Sequence, residues 1–466
     1  MYPELLNLLR CPRCGAGEGQ GLDIARSGCS RCRTSFFDMN SLPCWFPSGQ
    51  LQRELWQDLY AKFLEQAEHT RQLHLTDIAS RGLLTASQSR VGELLELRLG
   101  TFTAISGLLA EAGLEPQQAA AFAHFTPESF AQYYELMLRD WAWQKLSNAD
   151  KYRQYEDENA LALASVLRVI KASAIPAPRR ILVLGSGAGR LSWDMHCALN
   201  AELTVALDQH PLLIYLSHKL VRQQQEFVLP DTRKLPREGL PQTVEWTLTC
   251  DTGTQEQRAS WLPFAGDAWA LPFAEGSFDM VVTPWFIDIT GRDVKTLVPV
   301  VERMLKPGGS WLNYGPLLYS DQLPESQRYT FAEIRELLTL ASFELLAEEF
   351  NRVPYTYSPL SERGRMEEVW TFISRSAPDR EHLHQGGEWA GVVDRVKPPA
   401  WWILPHLPIP RFTQQDLFPP SLQSIARLID GSRSIHQLGE LLAPNLPEGQ
   451  DPVAFVYEFL AEYAVR

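Results

Sequence analysis

The chain has 466 residues, 45% hydrophobic and 11% aromatic, enough apolar matter for about three packed domains, which excludes wholesale disorder. Its 43 Lys and Arg against 56 Asp and Glu leave a formal charge of −13 with no basic tract, which argues against a nucleic-acid partner, because neutralised phosphates supply most of that affinity. No run approaches the ~20 apolar residues of a membrane span, and the opening MYPELLNLLRCPRC is broken too soon by Arg10 and Arg13 to be a signal peptide, so the expectation is a soluble, cytoplasmic, multidomain protein with no membrane partner.

Five of the seven cysteines fall within residues 1–48. Cys11-Pro-Arg-Cys14 and Cys29-Ser-Arg-Cys32 form CxxC–x14–CxxC. Two intervening residues let both thiolates of a knuckle reach one tetrahedral Zn²⁺, and the second knuckle closes the site. Four protein ligands leave no open position, so the predicted zinc is structural. A ribbon without metal and a pair of redox motifs are the alternatives, and the paired spacing disfavours both. Cys44 lies beyond the second knuckle and reads as a packed thiol.

Residues 49–130 repeat apolar residues at three- and four-residue spacing, in LQRELWQDLYAKFLEQAEHTRQL and SRVGELLELRLGTFTAISGLLAEAGL, which predicts helices. Ile175-Pro176-Ala177-Pro178 breaks the helical pattern. From there the period changes. RRILVLGSGAGR is a short apolar strand running into glycines, ELTVALD a second strand, and FDMVVTPWFID a third, followed by helical VKTLVPVVERML and the KPGG turn that ends it. Strands alternating with helices imply parallel units in a doubly wound sheet.

Gly185-Ser186-Gly187-Ala188-Gly189-Arg190 lacks the third glycine of a dinucleotide fingerprint and the GK[ST] of a Walker loop. What remains is strand–GxGxG–helix, a turn that lets backbone approach a ligand. Asp208 ends the next strand 19 residues after Gly189, where a carboxylate can accept both hydroxyls of a ribose. Gly266-Asp267-Ala268 supplies a further acid after the next predicted strand.

This ordered set resembles the seven-strand S-adenosylmethionine-dependent methyltransferases. The resemblance implies cofactor contacts from Gly185, Ser186, Gly187, Gly189, Asp208, Gly266, Asp267 and Ala268, with Asp267 at the adenine amine. The segment LLNLLRCPRC…CSRC…SFFDMNSLPCWF resembles the small zinc-ribbon activator subunits of methyltransferases. The motifs Leu138-Arg139-Asp140-Trp141, Trp285-Phe286-Ile287-Asp288 and Trp311-Leu312-Asn313-Tyr314-Gly315-Pro316-Leu317-Leu318-Tyr319 narrow the match, over residues 130–375, to the carnosine N-methyltransferase family. That family methylates an imidazole nitrogen of a histidine-containing dipeptide. The resemblance places Asp288 at the substrate imidazole as the catalytic carboxylate, Arg139 on the cofactor, Tyr355 with its neighbour Tyr357 in the aromatic substrate-binding segment, and Tyr319 and Ser320 among the substrate-binding positions. After GPLLY the family carries a histidine where this chain has Ser320, a hydroxyl with neither the reach nor the charge of an imidazole.

The residues alone leave other readings open. Asp288 also reads, less strongly, as the cap of a helix near Arg292, Arg139 as one half of an ion pair, and Tyr355 and Tyr357 as core aromatics of a late strand. His210, His218, His406 and His436 stand apart and complete no ligand set.

The fold expectation is α/β: a doubly wound Rossmann-like methyltransferase domain over 131–378, an N-terminal zinc ribbon over 1–48, a helical segment over 49–130, a Pro-rich connector over 379–420 and a small C-terminal helical module over 421–466. That module faintly resembles winged-helix-like peptide-binding domains attached to enzymes that modify ribosomal peptides, and otherwise reads as a packing or dimerisation element. The expected activity is S-adenosylmethionine-dependent N-methylation of an imidazole in a histidine derivative, dipeptide or peptide. The alternatives are methylation of another small-molecule, natural-product or RNA nucleophile, and a non-catalytic cofactor-binding scaffold. A protein partner or a second copy is expected to dock through the ribbon or the C-terminal module.

Overall fold

The protein is described by a computed structural model over residues 3–118, 133–146, 156–233, 242–319, 323–358, 363–378, 423–429 and 435–446, together with 433, 452, 455, 456 and 459. The 379–420 connector, Ser320 and His406 lie outside the described residues, as does the side chain of His436.

The chain opens with a short helix α1 (Pro3–Leu6) and three two-residue strands, β1 (Leu22–Asp23), β2 (Gly28–Cys29) and β3 (Thr34–Ser35), paired antiparallel around the cysteine knuckles. A hairpin of β4 (Phe37–Met39) and β5 (Leu42–Trp45) follows, then two long helices, α2 (Gly49–Ile78) and α3 (Thr85–Glu111). After α4 (Tyr134–Trp141) comes α5 (Glu158–Ser173), capped at its start by Asp157, which accepts from the N–H groups of Asn159 at 3.0 Å and Ala160 at 3.4 Å. Left-handed Ala174 ends α5 just ahead of Pro176 and Pro178.

The α/β part alternates as the sequence predicts: β6 (Arg180–Leu184), α6 (Arg190–Leu199), β7 (Leu203–Asp208), α7 (Pro211–Ser217), the hairpin β8 (Phe227–Arg233) and β9 (Gln242–Leu248), α8 (Gln255–Ser260), β10 (Trp261–Gly266), β11 (Phe278–Pro284), α9 (Val298–Met304), β12 (Leu305–Gly315), α10 (Phe331–Leu340), β13 (Phe343–Ser358) and β14 (Arg363–Ser376). One sheet runs β13-β14-β12-β11-β6-β7-β10-β5-β4. From β12 to β5 all neighbours pair parallel, and β14, β13 and β4 run antiparallel to theirs. Ile181 to Leu184 are all buried, as a central strand covered on both faces requires. The strand order reverses between β6 and β11. In open α/β sheets ligands bind at such a switch point, outside the carboxyl ends of the strands.

Two local expectations change. The FDMVVTPWFID strand stops at Pro284, because Trp285 takes a left-handed φ of +44° and turns the chain off the sheet. The KPGG segment is not a turn ahead of the next strand but the irregular first part of β12, where the pairing with β11 jumps from Phe278–Leu305 to Met280–Ser310.

One face of the sheet packs α5 and α6 through Ala162, Val166, Leu191 and Met195. The other core joins the β4–β5 hairpin (Leu42, Cys44), the α2–α3 pair (Trp56, Phe63, Ile105, Leu108), α4 (Met137, Leu138, Trp141) and α7. Fully burying each such aliphatic or aromatic side chain contributes about 1.5–3 kcal/mol, so the helical segment and the ribbon hairpin are built into the core of the α/β part. Strand β5 also extends the sheet itself, with Cys44 opposite Ala265 and Trp45 opposite Gly266. Further along, Leu9 bridges Phe273, Arg10 N–H donates to Pro272 O at 2.9 Å, and Ala274 N–H to Leu8 O at 2.7 Å.

A second compact unit holds the described C-terminal residues. Its helices Gln423–Leu428 and Ile435–Leu442 bury Ile429, Ile435, Leu438 and Leu442 together with Val456 and Phe459. No helix among the described residues is long and apolar enough to cross a membrane.

Candidate active site and cysteine centre

The glycine loop sits on the carboxyl end of β6. Gly185, with φ +71°, and Ser186 both donate to Leu207 O at 3.0 Å, and a Cβ on Gly185 would stand 2.4 Å from Phe286 Cδ2. Gly189, with φ +87°, starts α6, and a Cβ there would meet Ser217 Cβ at 2.8 Å. Gly187 differs: its φ is +57°, yet a Cβ would meet nothing within 4 Å. Two of the three glycines are therefore required by packing, and the third faces open space. Its N–H donates to Asp208 Oδ2 at 2.8 Å, while His210 N–H donates to Oδ1 at 2.7 Å. Burial pushes the Asp208 carboxyl up to about 6, against the pull of those backbone N–H groups. Each oxygen retains a lone pair for a further donor.

Gly266, Asp267 and Ala268 follow at the end of β10. Asp267 is buried, takes the N–H of Trp269 at 2.9 Å, and has its carboxyl raised by burial while Arg292 opposes the shift. Arg292 in turn lies over the Trp269 ring at 4.3 Å.

Past the switch point, Asp288 is 2% exposed. Its Oδ2 accepts the backbone N–H of Leu318 at 2.8 Å, and its Oδ1 is buried with no partner among the described residues. Burial raises this carboxyl to about 6, partly offset by the Leu318 N–H. The helical turn near Arg292 is capped instead by Asp293, which accepts from Lys295 N–H at 2.9 Å. The hydroxyl of Tyr314 and the indole N–H of Trp285 are likewise buried with no partner among the described residues. Asp288's charge is felt at Tyr319, whose hydroxyl is held above its usual range mainly by burial.

Arg139 is buried beside Asp140, Trp285 and Tyr355. Its Nε donates to Asp140 Oδ1 at 2.8 Å, and its guanidinium lies 5.1 Å from the Trp285 ring and 5.7 Å from that of Tyr355. Arg365 covers Tyr355 at 4.7 Å, so two aromatic rings and two guanidiniums form one cluster. Arg139 thus forms the ion pair with Asp140 while its guanidinium rests against the rings, and Tyr355 and Tyr357 are half-buried. Tyr357 belongs to the same strand β13, and its N–H donates to Glu158 Oε1 at 2.8 Å.

Three participants carry no sequence signal. Glu158 is buried at the start of α5, accepts from Thr356 and Tyr357 N–H, and is pushed by burial up to about 7. In sequence it reads as an ordinary first-turn acid. Glu367 and Arg365 arrive only through β13–β14 pairing, with Val353 opposite Glu367 and Tyr355 opposite Arg365. Trp285, quoted from the sequence only as part of its motif, is a bulky residue at positive φ, which marks a constrained position.

The four sulfurs of Cys11, Cys14, Cys29 and Cys32 lie within 4.8 Å of one another, with Cys11–Cys32 at 3.5 Å and Cys14–Cys29 at 3.6 Å. A tetrahedral ion with Zn–S bonds of about 2.3 Å separates its sulfurs by roughly 3.8 Å. The set therefore fits one such ion. Cys44 is buried in β5.

A family model described as carnosine N-methyltransferase matches residues 132–373. A carnosine N-methyltransferase of Dictyostelium discoideum is 35% identical over 82 residues, covering 17% of this chain and 18% of that protein. One from Rattus norvegicus is 24% identical over 219 residues, covering 43% of this chain and 52% of its own length. The chain thus spans at most about half the length of these curated relatives. A SAM-dependent methyltransferase structure from Methanosarcina mazei superposes with a TM-score of 0.31 at 16% identity, covering 45% of this chain and 98% of that one. With the family model matching more than half of its residues, the chain belongs to the carnosine N-methyltransferase family.

Proposed function

We propose that the protein is an S-adenosylmethionine-dependent N-methyltransferase that methylates an imidazole nitrogen of a histidine derivative, dipeptide or peptide. The observation that carries this reading is Asp288: a buried carboxylate past the switch point, one oxygen fixed by Leu318 N–H and the other without a partner among the described residues.

S-adenosylmethionine, when bound, supplies an electrophilic sulfonium methyl. On this reading Gly185, Ser186, Gly187 and Gly189 line its approach, Asp208 accepts the ribose hydroxyls, Gly266, Asp267 and Ala268 border the adenine, and Arg139 pairs with the carboxylate end. The open space at Gly187 and the buried, unpartnered hydroxyl of Ser186 agree with a ligand at this loop. Asp288 Oδ1 accepts the N–H of the acceptor ring. This fixes the tautomer so that the opposite nitrogen presents its lone pair, and the carboxylate stabilises the positive charge that grows on the ring. Tyr319, Tyr355 and Tyr357 shape the acceptor pocket. The remainder of the rate enhancement is alignment of two reactants.

Cys11, Cys14, Cys29 and Cys32 would hold a structural Zn²⁺, which fixes the ribbon whose hairpin continues the sheet. On the same reading residues 131–378 carry the chemistry, and 1–48 and 49–130 brace it. The test is a methyl-transfer assay with labelled S-adenosylmethionine against histidine, carnosine and histidine-containing peptides, with mass spectrometry of the product. A methyl group on a ring nitrogen is expected. Label on another nucleophile only, or none despite cofactor binding, overturns the reading.

A further inference from the structure

Two carboxylates, not one, bring an unused oxygen into this pocket. Glu367 is 3% exposed and lies on β14 two residues beyond Arg365. Its Oε1 accepts Arg365 Nε at 2.6 Å, and its Oε2 is buried with no partner among the described residues, as is Asp288 Oδ1. A buried, unsatisfied carboxylate oxygen costs more than a neutral group left in the same state, so a donor belongs there. Glu367 is hydrogen-bonded to the Arg365 that covers the Tyr355 ring, and it lies two residues along β14 from the Tyr355–Arg365 pair, which sets it beside the aromatic cluster. The single charge of Arg365 faces both acids and is hydrogen-bonded to Glu367, and its own side chain is 63% exposed.

We propose that Glu367 binds the ammonium group of the acceptor, so that the preferred substrate is an imidazole compound carrying a free amine. This rests on the imidazole reading above. An ammonium offers three donors and no acceptor, which suits an oxygen that lacks only a donor. The acceptor ring N–H meets Asp288, the amine meets Glu367, and the Tyr355 ring stands on the same strand pair as Glu367. Glu367 is a specificity-determining residue here and takes no part in the transfer itself.

The test compares carnosine with N-acetylcarnosine, the same dipeptide with its amine acetylated, on the full chain and on Glu367→Gln. Wild type should show a KM about tenfold or more lower for carnosine, as a charge-assisted hydrogen bond to a buried acid implies. Glu367→Gln should raise the carnosine KM to that of the acetylated dipeptide, with kcat within about twofold and cofactor affinity by calorimetry unchanged. Equal wild-type KM values for the two dipeptides overturn the proposal even if the variant fails to fold, and so does discrimination that survives in Glu367→Gln. Methylation of neither dipeptide by a cofactor-binding wild type is the separate failure of the imidazole reading, and it removes this proposal as well.

Discussion

Asp288 and Leu318 hold each other across the ends of two adjacent strands: the carboxylate that follows β11 accepts, at 2.8 Å, the amide of the segment that follows β12. A side chain fixed by backbone cannot swing away from its pocket, so its free oxygen has one address. Asp288→Ala should lower turnover on an imidazole acceptor by about a hundredfold or more while leaving cofactor affinity within about twofold. Steady-state methyl transfer and calorimetry measure the two quantities. Parallel loss of both would mean that Asp288 only supports the fold.

The three loop glycines should separate into two kinds. Gly187→Ala places its Cβ in open space and carries only the left-handed backbone penalty, about 1–2 kcal/mol. It should fold normally and lose cofactor affinity at least tenfold. Gly185→Ala meets the Phe286 ring as well, so it should lower the thermal midpoint clearly more. Differential scanning fluorimetry beside calorimetry decides; equal destabilisation by both changes contradicts the assignment.

Glu158 predicts a pH signature. Its carboxyl is raised to about 7 from an ordinary 4.5, so between those values the folded state binds more protons than the unfolded one. Its contribution is therefore favourable at low pH and is lost as the pH rises through about 7. Buried His196, lowered to about 4, and His210, lowered to about 3, run the opposite way below their ordinary 6.5. The difference between Glu158→Gln and wild type isolates the acid. Urea unfolding of the cofactor-free protein should show the variant gaining on wild type from pH 5 to pH 7.5. An offset of about 1–3 kcal/mol against the variant accompanies this, because one of the two backbone N–H donors loses its acceptor. A difference that does not change with pH would refute it.

Purified protein should contain one zinc per chain. Cys11→Ser or Cys32→Ser should abolish it, whereas Cys44→Ser should retain stoichiometric metal. Metal analysis by mass spectrometry, paired with thiol titration before and after chelation, makes the comparison. Zinc loss in the Cys44 variant would show that the ligand set is not the four clustered sulfurs.

The parts of this site that were legible in sequence are those whose geometry is set within a few residues. Two cysteines separated by two residues make a knuckle, and alternating glycines after an apolar run make a turn, whatever surrounds them. Asp208 was legible because it ends the next strand, at a spacing the parallel architecture fixes. Glu158, Arg365 and Glu367 were not, because no local pattern distinguishes them from surface acids and bases. Only the β13–β14 register, and the packing of α5 against it, brings them to Tyr355 and Thr356. The β4–β5 hairpin was hidden for a different reason. Strands of three and four residues carry too little periodicity to show that they continue a distant sheet.

That hairpin also has a topological consequence. An open parallel sheet ends in a strand whose unpaired backbone is a template for any other extended chain. Here β10 would be that strand, and β5 already occupies it from within the same polypeptide. The rim that results is β4, three residues long. At this end of the sheet the molecule thus carries its own edge guard, and the place beside β10 where a second polypeptide would add a strand is filled as the chain folds, while the opposite edge is β13.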